Sequence, residues 1–314
     1  MTTVAEWNRL AMTFEQRGIW RTIYTEDQMI PFLQFKEVDG KSYDYERELT
    51  NPTTSVVGDE GEMMDSSMTF TERSTTLKTT YVQTAVNLKS QALANKNNPE
   101  AVARLKMAKS WGRELARLVI KGDLSVDSEE FDGLDALCRD DTRMMAMDDG
   151  DVDGPGTAET ELTLARLREL IDLVEPGLPD ALIMNKTMRR KLTNLMYSAG
   201  GGVELPSVDM FGRRTRTFDD LPIIINDYIT SAEIYADGST WTSSTATTIF
   251  AVKFGEEKEG FTLLHKGGFM DVAVQDLGTR KNRNEKVLRM VGYPGSVVYS
   301  PLAIAALGGI DSAA

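Results

Sequence analysis

The amino-acid sequence predicts a mixed α+β fold without an internal repeat. Three observations support this prediction. One segment has the periodicity and the end signals of a long helix, several short runs have the pattern of strands, and helical and strand-like segments alternate through the second half of the chain. With 314 residues, of which 41% are hydrophobic and 26% charged, the chain is long enough to bury a sizeable core and has a globular composition.

The clearest helix is predicted from Asn98 to Gly122. Asn98 is a favourable N-cap, and Pro99 occupies the first helical position, where a missing N–H costs nothing. Gly122 is predicted to end the helix in the left-handed conformation. Apolar residues recur at helical spacing: Val102, Leu105, Ala108, Trp111, Leu115, Leu118 and Val119. Such a helix would have about 23 residues and a length of roughly 34 Å, which suits a structural spine.

Residues 54–80 are predicted to form one long antiparallel hairpin. Strand-like alternation occurs in residues 68–71 and 80–86, and the stretch 56–67 is polar, acidic and glycine-containing. Because a two-stranded hairpin with few apolar residues is barely stable alone, it needs another surface to lie on. We expect that surface to belong to a neighbouring subunit.

The second half of the chain is predicted to alternate helices and strands. Residues 141–160 predict a loop and a domain boundary. Helices are predicted at 163–174, capped by Thr163, and at 187–197, capped by Asn185. Strands are predicted at 181–184, 221–225, 249–254, 261–264, 271–275 and 286–290, before a short apolar end at 303–310.

The pattern of residues 4–23 predicts a short amphipathic helix that is broken at Gly18. Its apolar positions are Val4, Trp7, Leu10, Phe14, Ile19, Trp20 and Ile23. Two interpretations stay open, a helix that packs on the core of its own subunit and an arm that lies on a neighbour. Exposed tryptophans on a free arm would be unfavourable.

The charge of the chain argues against tight binding of nucleic acid. Asp and Glu outnumber Lys and Arg by 48 to 35, which gives a formal net charge of −13. Proteins that hold phosphates carry clustered basic residues instead. An acidic wall around DNA would repel it weakly and leave it free to slide. No secretory signal and no membrane-spanning run is recognised, so no membrane partner is expected.

Few residues suggest catalysis. Cys138 is the single cysteine and is expected to be a small buried residue in a reducing compartment, because one histidine alone is present to activate it. That histidine, His265, is expected at the surface or in an interface. No phosphate loop, His/Cys metal cluster or catalytic triad is recognised, so no catalytic residue and no cofactor is predicted. Catalysis by carboxylates, in an enzyme of unknown type, stays open.

One acidic stretch matches the start of a calcium-binding loop. Asp149, Asp151 and Asp153 alternate, and Gly154 occupies the sixth position. The twelfth position should supply a bidentate carboxylate, but it is Thr160. We therefore predict a solvated acidic loop and no metal site, with calcium binding as the alternative.

Three basic clusters occur, at residues 189–191, 213–216 and 280–283. They lack interleaved aromatic residues and belong to an acidic chain. We therefore expect them to pair with carboxylates across subunit contacts rather than to hold DNA, which would favour the correct partner and register.

The order of these segments resembles the major capsid proteins of tailed bacteriophages, which have the Hong Kong ninety-seven type fold. The resemblance covers residues 50–310. The order and spacing of its motifs, taken together, are specific for this family. The extended loop and its returning strand are similar to residues 57–61, 68–70 and 77–78. The spine helix is similar to residues 98–122, and its end and the following turn are similar to residues 120–123 and 131–134. The strand and helix of the axial domain are similar to residues 181–192, and the closing strands and a final short helix are similar to residues 272–305.

The resemblance implies a fold of four parts. These are an N-terminal arm (residues 1–50), an extended β-hairpin loop (51–85), a peripheral domain with the long spine helix (86–154 and 265–298), and an axial domain (155–264 and 299–314). The implied subunit-interface residues are Gly58, Glu60, Gly61, Met63, Met64, Phe70, Arg213 and Arg214.

The resemblance also implies a structural protein that is not an enzyme. It would assemble into pentamers and hexamers that form an icosahedral shell, the capsid of a virion, around non-specifically enclosed double-stranded DNA. Assembly would occur in the host bacterial cytoplasm, with a portal and a separate scaffolding protein. The alternative is an encapsulin-type compartment, which shares the fold and encloses cargo enzymes.

Some members of the family link their subunits through an isopeptide bond between a lysine of the extended loop and an asparagine of a neighbour. Residues 42–77 contain no lysine, and only Lys41 and Lys78 flank this region. Because that chemistry requires an amine, no such cross-link is expected.

Overall fold

The structure is a computed structural model that describes residues 18–19, 21–23, 27–50, 54, 56–57, 65, 69–93, 98–147, 160–198, 207–208, 214–231, 246–266 and 273–312. It has the predicted mixed α+β architecture. Its helices are α1 (Leu88–Ala92), α2 (Pro99–Lys121), α3 (Leu134–Asp140), α4 (Leu164–Asp172) and α5 (Lys186–Ser198). Its strands are β1 (Phe35–Glu37), β2 (Ser42–Thr50), β3 (Thr69–Thr76), β4 (Thr80–Asn87), β5 (Met144–Ala146), β6 (Ala181–Met184), β7 (Ser207–Val208), β8 (Arg214–Thr215), β9 (Thr217–Phe218), β10 (Leu221–Ile225), β11 (Ala246–Val252), β12 (Phe261–His265), β13 (Ala273–Thr279), β14 (Glu285–Gly292), β15 (Gly295–Val298) and β16 (Ile304–Asp311).

A six-stranded sheet of order β5-β16-β11-β6-β10-β9 separates two hydrophobic cores. Successive side chains of a strand point to opposite faces, and here both faces are covered. In β6, Ile183 points into one core, whereas Leu182 and Met184 point into the other. Burial on both faces explains why these strands have continuous apolar sequences.

The first core lies between this sheet and the long helix α2, and the second core lies between the sheet and helices α4 and α5. Trp111 and Leu115 of α2 belong to the first core together with Phe250 of β11. Leu170 of α4 and Leu192 of α5 belong to the second core. The strands of one sheet therefore join the two halves of the subunit.

The predicted helix ends are confirmed at three positions. The side chain of Asn98 accepts a hydrogen bond from the backbone N–H of Glu100, with a distance of 3.0 Å. Thr163 and Asn185 cap α4 and α5 in the same way. These side chains satisfy backbone donors that the first turn of a helix leaves unpaired.

The predicted conformation of Gly122 is wrong. Its φ of −58° and ψ of 137° are extended rather than left-handed. The chain instead folds back against the helix end, where the N–H of Gly133 donates to the carbonyl of Gly122. A Cβ at Gly122 would lie 2.2 Å from the carbonyl oxygen of Phe131 and 2.6 Å from that of Leu118. Close backbone approach is therefore the reason for glycine at this position.

The predicted hairpin has different bounds in the structure. Strand β2 pairs with β3 in antiparallel register from Ser42↔Thr76 to Thr50↔Thr69. The predicted bounds, residues 54–80, are wrong because the outgoing strand lies before residue 54 and the returning strand ends at Thr76. Strand β4, which follows, pairs with β14 and belongs to another sheet. The alternation of Tyr43 and Tyr45 with acidic residues is the sequence signal for the first strand.

The apolar C-terminal end, residues 303–310, forms a strand that follows a short helical turn. A single 3-10 turn at Pro301–Ala303 is followed by β16, which lies between β11 and β5 in the six-stranded sheet. Residues Ile304–Ile310 are buried. The final short helix that the resemblance implied is present as this 3-10 turn, and the apolar segment after it completes the sheet that separates the cores.

At the N-terminal end, the described residues pack on the core of their own subunit. Ile19 and Ile23 are buried, and Ile23 lies against Gly112 of α2. This supports the first of the two interpretations for residues 18–23. Residues 1–17 lie outside the described residues. Within the described part of the chain, no helix is both long and apolar enough to cross a membrane.

Replacing Gly122 by alanine tests the close approach at the end of α2. Because the new methyl group overlaps two carbonyl oxygens, we expect a loss of about 1–3 kcal/mol in the free energy of unfolding. Urea denaturation of the purified subunit measures this loss. Gly18→Ala is the control, since its Cβ meets no atom within 4 Å. Equal stability of the two variants would contradict the explanation.

Candidate functional site

Most of the predicted interface residues lie outside the described residues. These are Gly58, Glu60, Gly61, Met63, Met64 and Arg213. Phe70 and Arg214 are described only as backbone positions in β3 and β8. The role of these eight residues at a subunit interface therefore stays a prediction. The structure does describe where the hairpin β2–β3 joins the subunit, and we call this region the hairpin root.

A buried ion pair fixes the hairpin root to the end of helix α3. Arg47 of β2 binds Asp141, the C-cap of α3, through two hydrogen bonds of 2.8 and 2.5 Å. Only 3% of the Arg47 side chain and 6% of the Asp141 side chain are exposed. Arg73 of β3 lies 3.7 Å from the same carboxylate, with 44% of its side chain exposed. The buried bidentate geometry defines both the position and the orientation of the strand.

A cluster of aromatic rings forms the other part of the hairpin root. The rings of Tyr43 and Tyr45 stack with centroids 6.0 Å apart, and Tyr45 meets Tyr299 edge-on at 5.8 Å. The ammonium group of Lys36 donates to the hydroxyl of Tyr43 at 2.8 Å and pairs with Glu256. The cluster thereby joins β1, β2 and the segment after β15.

Burial and a hydrogen bond with Tyr43 raise the pKa of Tyr299. The phenol therefore stays neutral at physiological pH and acts as a hydrogen-bonding group. This arrangement is suited to holding strands together.

Between β2 and β3, three of the few described residues are exposed. Val56 is 99% exposed, and Thr54 and Asp65 are also exposed. A fully exposed β-branched residue gains nothing from the fold of its own subunit. The distal part of the hairpin is therefore chemically suited to contact another surface.

The basic clusters make contacts within the subunit. Lys191 donates to the backbone carbonyl of Asp311 at 2.6 Å, Arg216 donates to Thr193 at 3.1 Å, and Arg280 lies 3.6 Å from Glu285. The expected pairing across subunits stays a prediction.

The single histidine is buried, so its expected surface position is wrong. His265 ends β12, the central strand of the sheet β1-β12-β15, and its backbone carbonyl accepts from the N–H of Val38 at 2.8 Å. Neighbouring strands on both sides of β12 account for its burial. The ring of Phe35 lies 6.4 Å away.

Cys138 is buried in the first core, as predicted. Burial raises the pKa of its thiol, which keeps the sulfur protonated and unreactive. The acidic stretch Asp149–Asp153 lies outside the described residues. Within the described ranges, no group of three His, Cys, Asp or Glu side chains could hold a metal ion.

Sequence patterns did not indicate the Arg47–Asp141 pair. The two residues are 94 positions apart, and each one resembles an ordinary surface charge. The available signal was that Arg47 continues the alternation of Tyr43 and Tyr45 on one face of β2. Its buried partner follows only from the three-dimensional structure.

The fold is similar to that of several solved shell proteins. The holo-SrpI encapsulin complex of Synechococcus elongatus is 15% identical, with a TM-score of 0.67 over 94% of this chain and 90% of that one. The capsid of the native GTA particle is 12% identical, with a TM-score of 0.62 over 91% and 90% of the two chains. The match to Microbacterium phage Oxtober96 has 15% identity and a TM-score of 0.61 over 91% of both chains.

This chain has the Hong Kong ninety-seven type capsid fold. The predicted fold class is thereby confirmed. No family model and no curated protein matches the sequence. The long helix that the resemblance predicts as the spine helix is α2.

Removal of the Arg47 side chain tests the hairpin root of the capsid fold. Arg47→Ala leaves the carboxylate of Asp141 buried without its main partner, so we expect a loss of about 3–5 kcal/mol in the free energy of unfolding. Arg73→Ala is the matched control, and its exposed contact predicts a loss below about 1 kcal/mol. Denaturant unfolding of both subunits measures the difference. Similar losses would show that burial of the pair is unimportant.

Proposed function

We propose that this protein is the major capsid protein of a tailed bacteriophage. Its copies assemble into hexamers and pentamers, which close into an icosahedral shell around double-stranded DNA. The protein is a structural component of the virion and performs no catalysis. The observation that carries this proposal is a hairpin whose root is fixed by a buried ion pair while Val56 beyond it is fully exposed.

The hairpin supports assembly because its distal part gains no burial from its own subunit. Laid over an adjacent copy, it would bury Val56 and the apolar residues next to it. Repetition of such a head-to-tail contact closes a ring of subunits. The proposed contact residues are Gly58, Glu60, Gly61, Met63, Met64, Phe70, Arg213 and Arg214.

The helices on the two sides of the six-stranded sheet support a peripheral and an axial domain. The first core gathers the spine helix α2 and residues of β4 and β14, whereas the second gathers α4 and α5. We assign residues 86–154 and 265–298 to the peripheral domain, and residues 155–264 and 299–314 to the axial domain.

The acidic charge supports enclosure of DNA without specific binding. With a formal net charge of −13, the wall of the shell would repel phosphates weakly and leave the packaged duplex free to move. A portal and a separate scaffolding protein would be its partners, and assembly would take place in the cytoplasm of the host bacterium. The similarity to the SrpI encapsulin supports one alternative, a compartment that encloses cargo enzymes.

Negative-stain microscopy of the expressed protein, with and without the distal hairpin, tests this function. We expect closed shells from the intact chain. We expect no shells from a variant in which a two-residue turn replaces residues 51–68. This variant keeps the hairpin root but loses the segment that is proposed to contact the adjacent copy. Circular dichroism shows whether the variant stays folded.

The contents of virus particles distinguish the two kinds of shell. Nuclease-protected DNA in tailed particles supports the capsid protein, whereas enclosed enzymes indicate the compartment. A monodisperse subunit at high concentration, or normal shells without the distal hairpin, would contradict the proposal.

A further inference from the structure

The two ends of the long helix α2 carry surface segments of opposite charge. Residues 123–130 follow its C-terminal end, contain four carboxylates and no basic residue, and are called the acidic loop. Residues 280–283 connect β13 to β14, contain three basic residues and no carboxylate, and are called the basic turn. The ion pair of Lys286 and Glu100, at 3.0 Å, places the start of β14 beside the first turn of α2.

The acidic loop is held in one conformation by bonds within its own subunit. The carboxylate of Asp123 accepts a hydrogen bond from the backbone N–H of Ser125 at 2.8 Å. The ammonium group of Lys78, which follows the hairpin β2–β3, donates to the backbone carbonyl of Ser128 at 2.6 Å. A loop that is already ordered in the free subunit loses little conformational entropy when it binds.

This rigid loop exposes apolar side chains together with uncompensated charges. Val126 is 73% exposed and Leu124 is 45% exposed. Asp127 and Glu129 are exposed, and neither has an ion-pair partner in the described part of the chain. The other two carboxylates of the loop pair with arginines of the same subunit. Apolar residues surrounded by charged ones are the pattern of a surface that binds another protein.

The basic turn has the complementary composition. Lys281 and Arg283 are exposed, and neither has an ion-pair partner among the residues that the structure describes. Arg280 lies 3.6 Å from Glu285, at the outer limit of an ion pair. Beside the turn, Leu277 is 46% exposed. The turn thus presents positive charges next to an apolar side chain.

The carboxylates near the basic turn are already neutralised. Asp276 pairs with Lys286 at 2.8 Å. Glu100 pairs with Lys286 at 3.0 Å and with Arg104 at 2.6 Å. Helix α1, which is joined to the turn by a backbone hydrogen bond, adds another exposed basic residue, Lys89. In a chain with a formal net charge of −13, this end of α2 is locally positive.

The two segments cannot meet within one subunit. Glu100 and Lys121 mark the two ends of α2 and are separated by 21 residues, which is about 31 Å along the helix axis. A surface and its complement at opposite ends of one rigid element favour a head-to-tail contact between copies.

A second copy explains more of these features than a nucleic acid does. Phosphates would pair with the basic turn, but they would leave the exposed apolar side chains without a partner. They would also be repelled by the acidic loop and by the net charge of the chain. A second copy supplies opposite charges and apolar contacts to both segments.

We propose that the basic turn of one copy binds the acidic loop of a second copy. Lys281 and Arg283 supply the positive charges of this contact. Asp127 and Glu129 supply the negative charges, and the exposed apolar side chains beside them pack together. This inference rests on the proposed shell function and adds a contact in which the distal hairpin takes no part.

Exchanging the charges of the two segments tests the contact. The turn variant carries Lys281→Glu and Arg283→Glu, and the loop variant carries Asp127→Lys and Glu129→Lys. Because like charges then face each other, we expect each variant to lower the yield of shells several-fold. A variant with all four substitutions restores opposite charges and should recover most of the wild-type yield. Sedimentation of the expressed shells measures the yield, and circular dichroism shows whether each subunit is folded.

The control changes the net charge by as much as the turn variant, but on the other side of the six-stranded sheet. It carries Lys186→Glu and Arg190→Glu, two exposed positions of α5. We expect it to lower the yield less than the turn variant does. An equal loss would show that net charge, rather than position, is responsible, and would overturn the inference.

Disulfide formation in assembled shells provides a second measurement. The variant carries Leu277→Cys and Val126→Cys, while Cys138 is buried. After mild oxidation we expect a ladder of linked subunits on a non-reducing denaturing gel. A pair of Leu277→Cys with Leu178→Cys, which is 62% exposed in the segment after α4, should give no ladder. A ladder in both variants, or in neither, would count against the contact.

Failure of this contact is distinguishable from failure of the proposed function. If wild-type shells form but the variant with all four substitutions recovers no yield, the contact alone is overturned. A loss confined to the turn variant would indicate that the turn binds nucleic acid instead, and would also overturn the contact. Absence of wild-type shells would overturn the shell function itself.

Discussion

A two-stranded hairpin that leaves the body of a protein keeps a defined direction only if its root is fixed. In this protein the buried bidentate pair of Arg47 and Asp141 fixes the root. Burying both charges costs solvation energy, so such a pair contributes mainly geometry rather than net stability. The tyrosines around Tyr299 add a second attachment. Subunits that present the hairpin in one orientation can repeat the same contact around a ring.

The body that carries this root is built around one sheet with two buried faces. Because β6, β11 and β16 contribute side chains to both cores, a displacement on one side is transmitted to the other. The spine helix α2 packs on one of these cores and extends beyond it along β4. The ion pair of Lys121 and Asp135 joins the C-terminal end of this helix to α3, and thereby to the hairpin root.

Local signals in the sequence predicted the elements well. The caps at Asn98, Thr163 and Asn185 act over two or three residues, and the structure confirms all three. What the sequence did not predict depends on distant partners. Gly122 is extended because Phe131 returns to it, β16 is a strand because β11 and β5 flank it, and Arg47 is buried because Asp141 meets it. Strand-like alternation and a polar stretch indicated the hairpin, although its pairing begins twelve residues earlier than expected, at Ser42 rather than residue 54.

Hydrogen–deuterium exchange compared between unassembled subunits and shells tests most directly whether the hairpin folds onto another copy. The root strands β2 and β3 should be protected in both states, because their contacts lie within one subunit. Residues 51–68 should exchange rapidly in the free subunit and become protected on assembly. Strong protection of this segment in the free subunit, or rapid exchange in intact shells, would contradict the account.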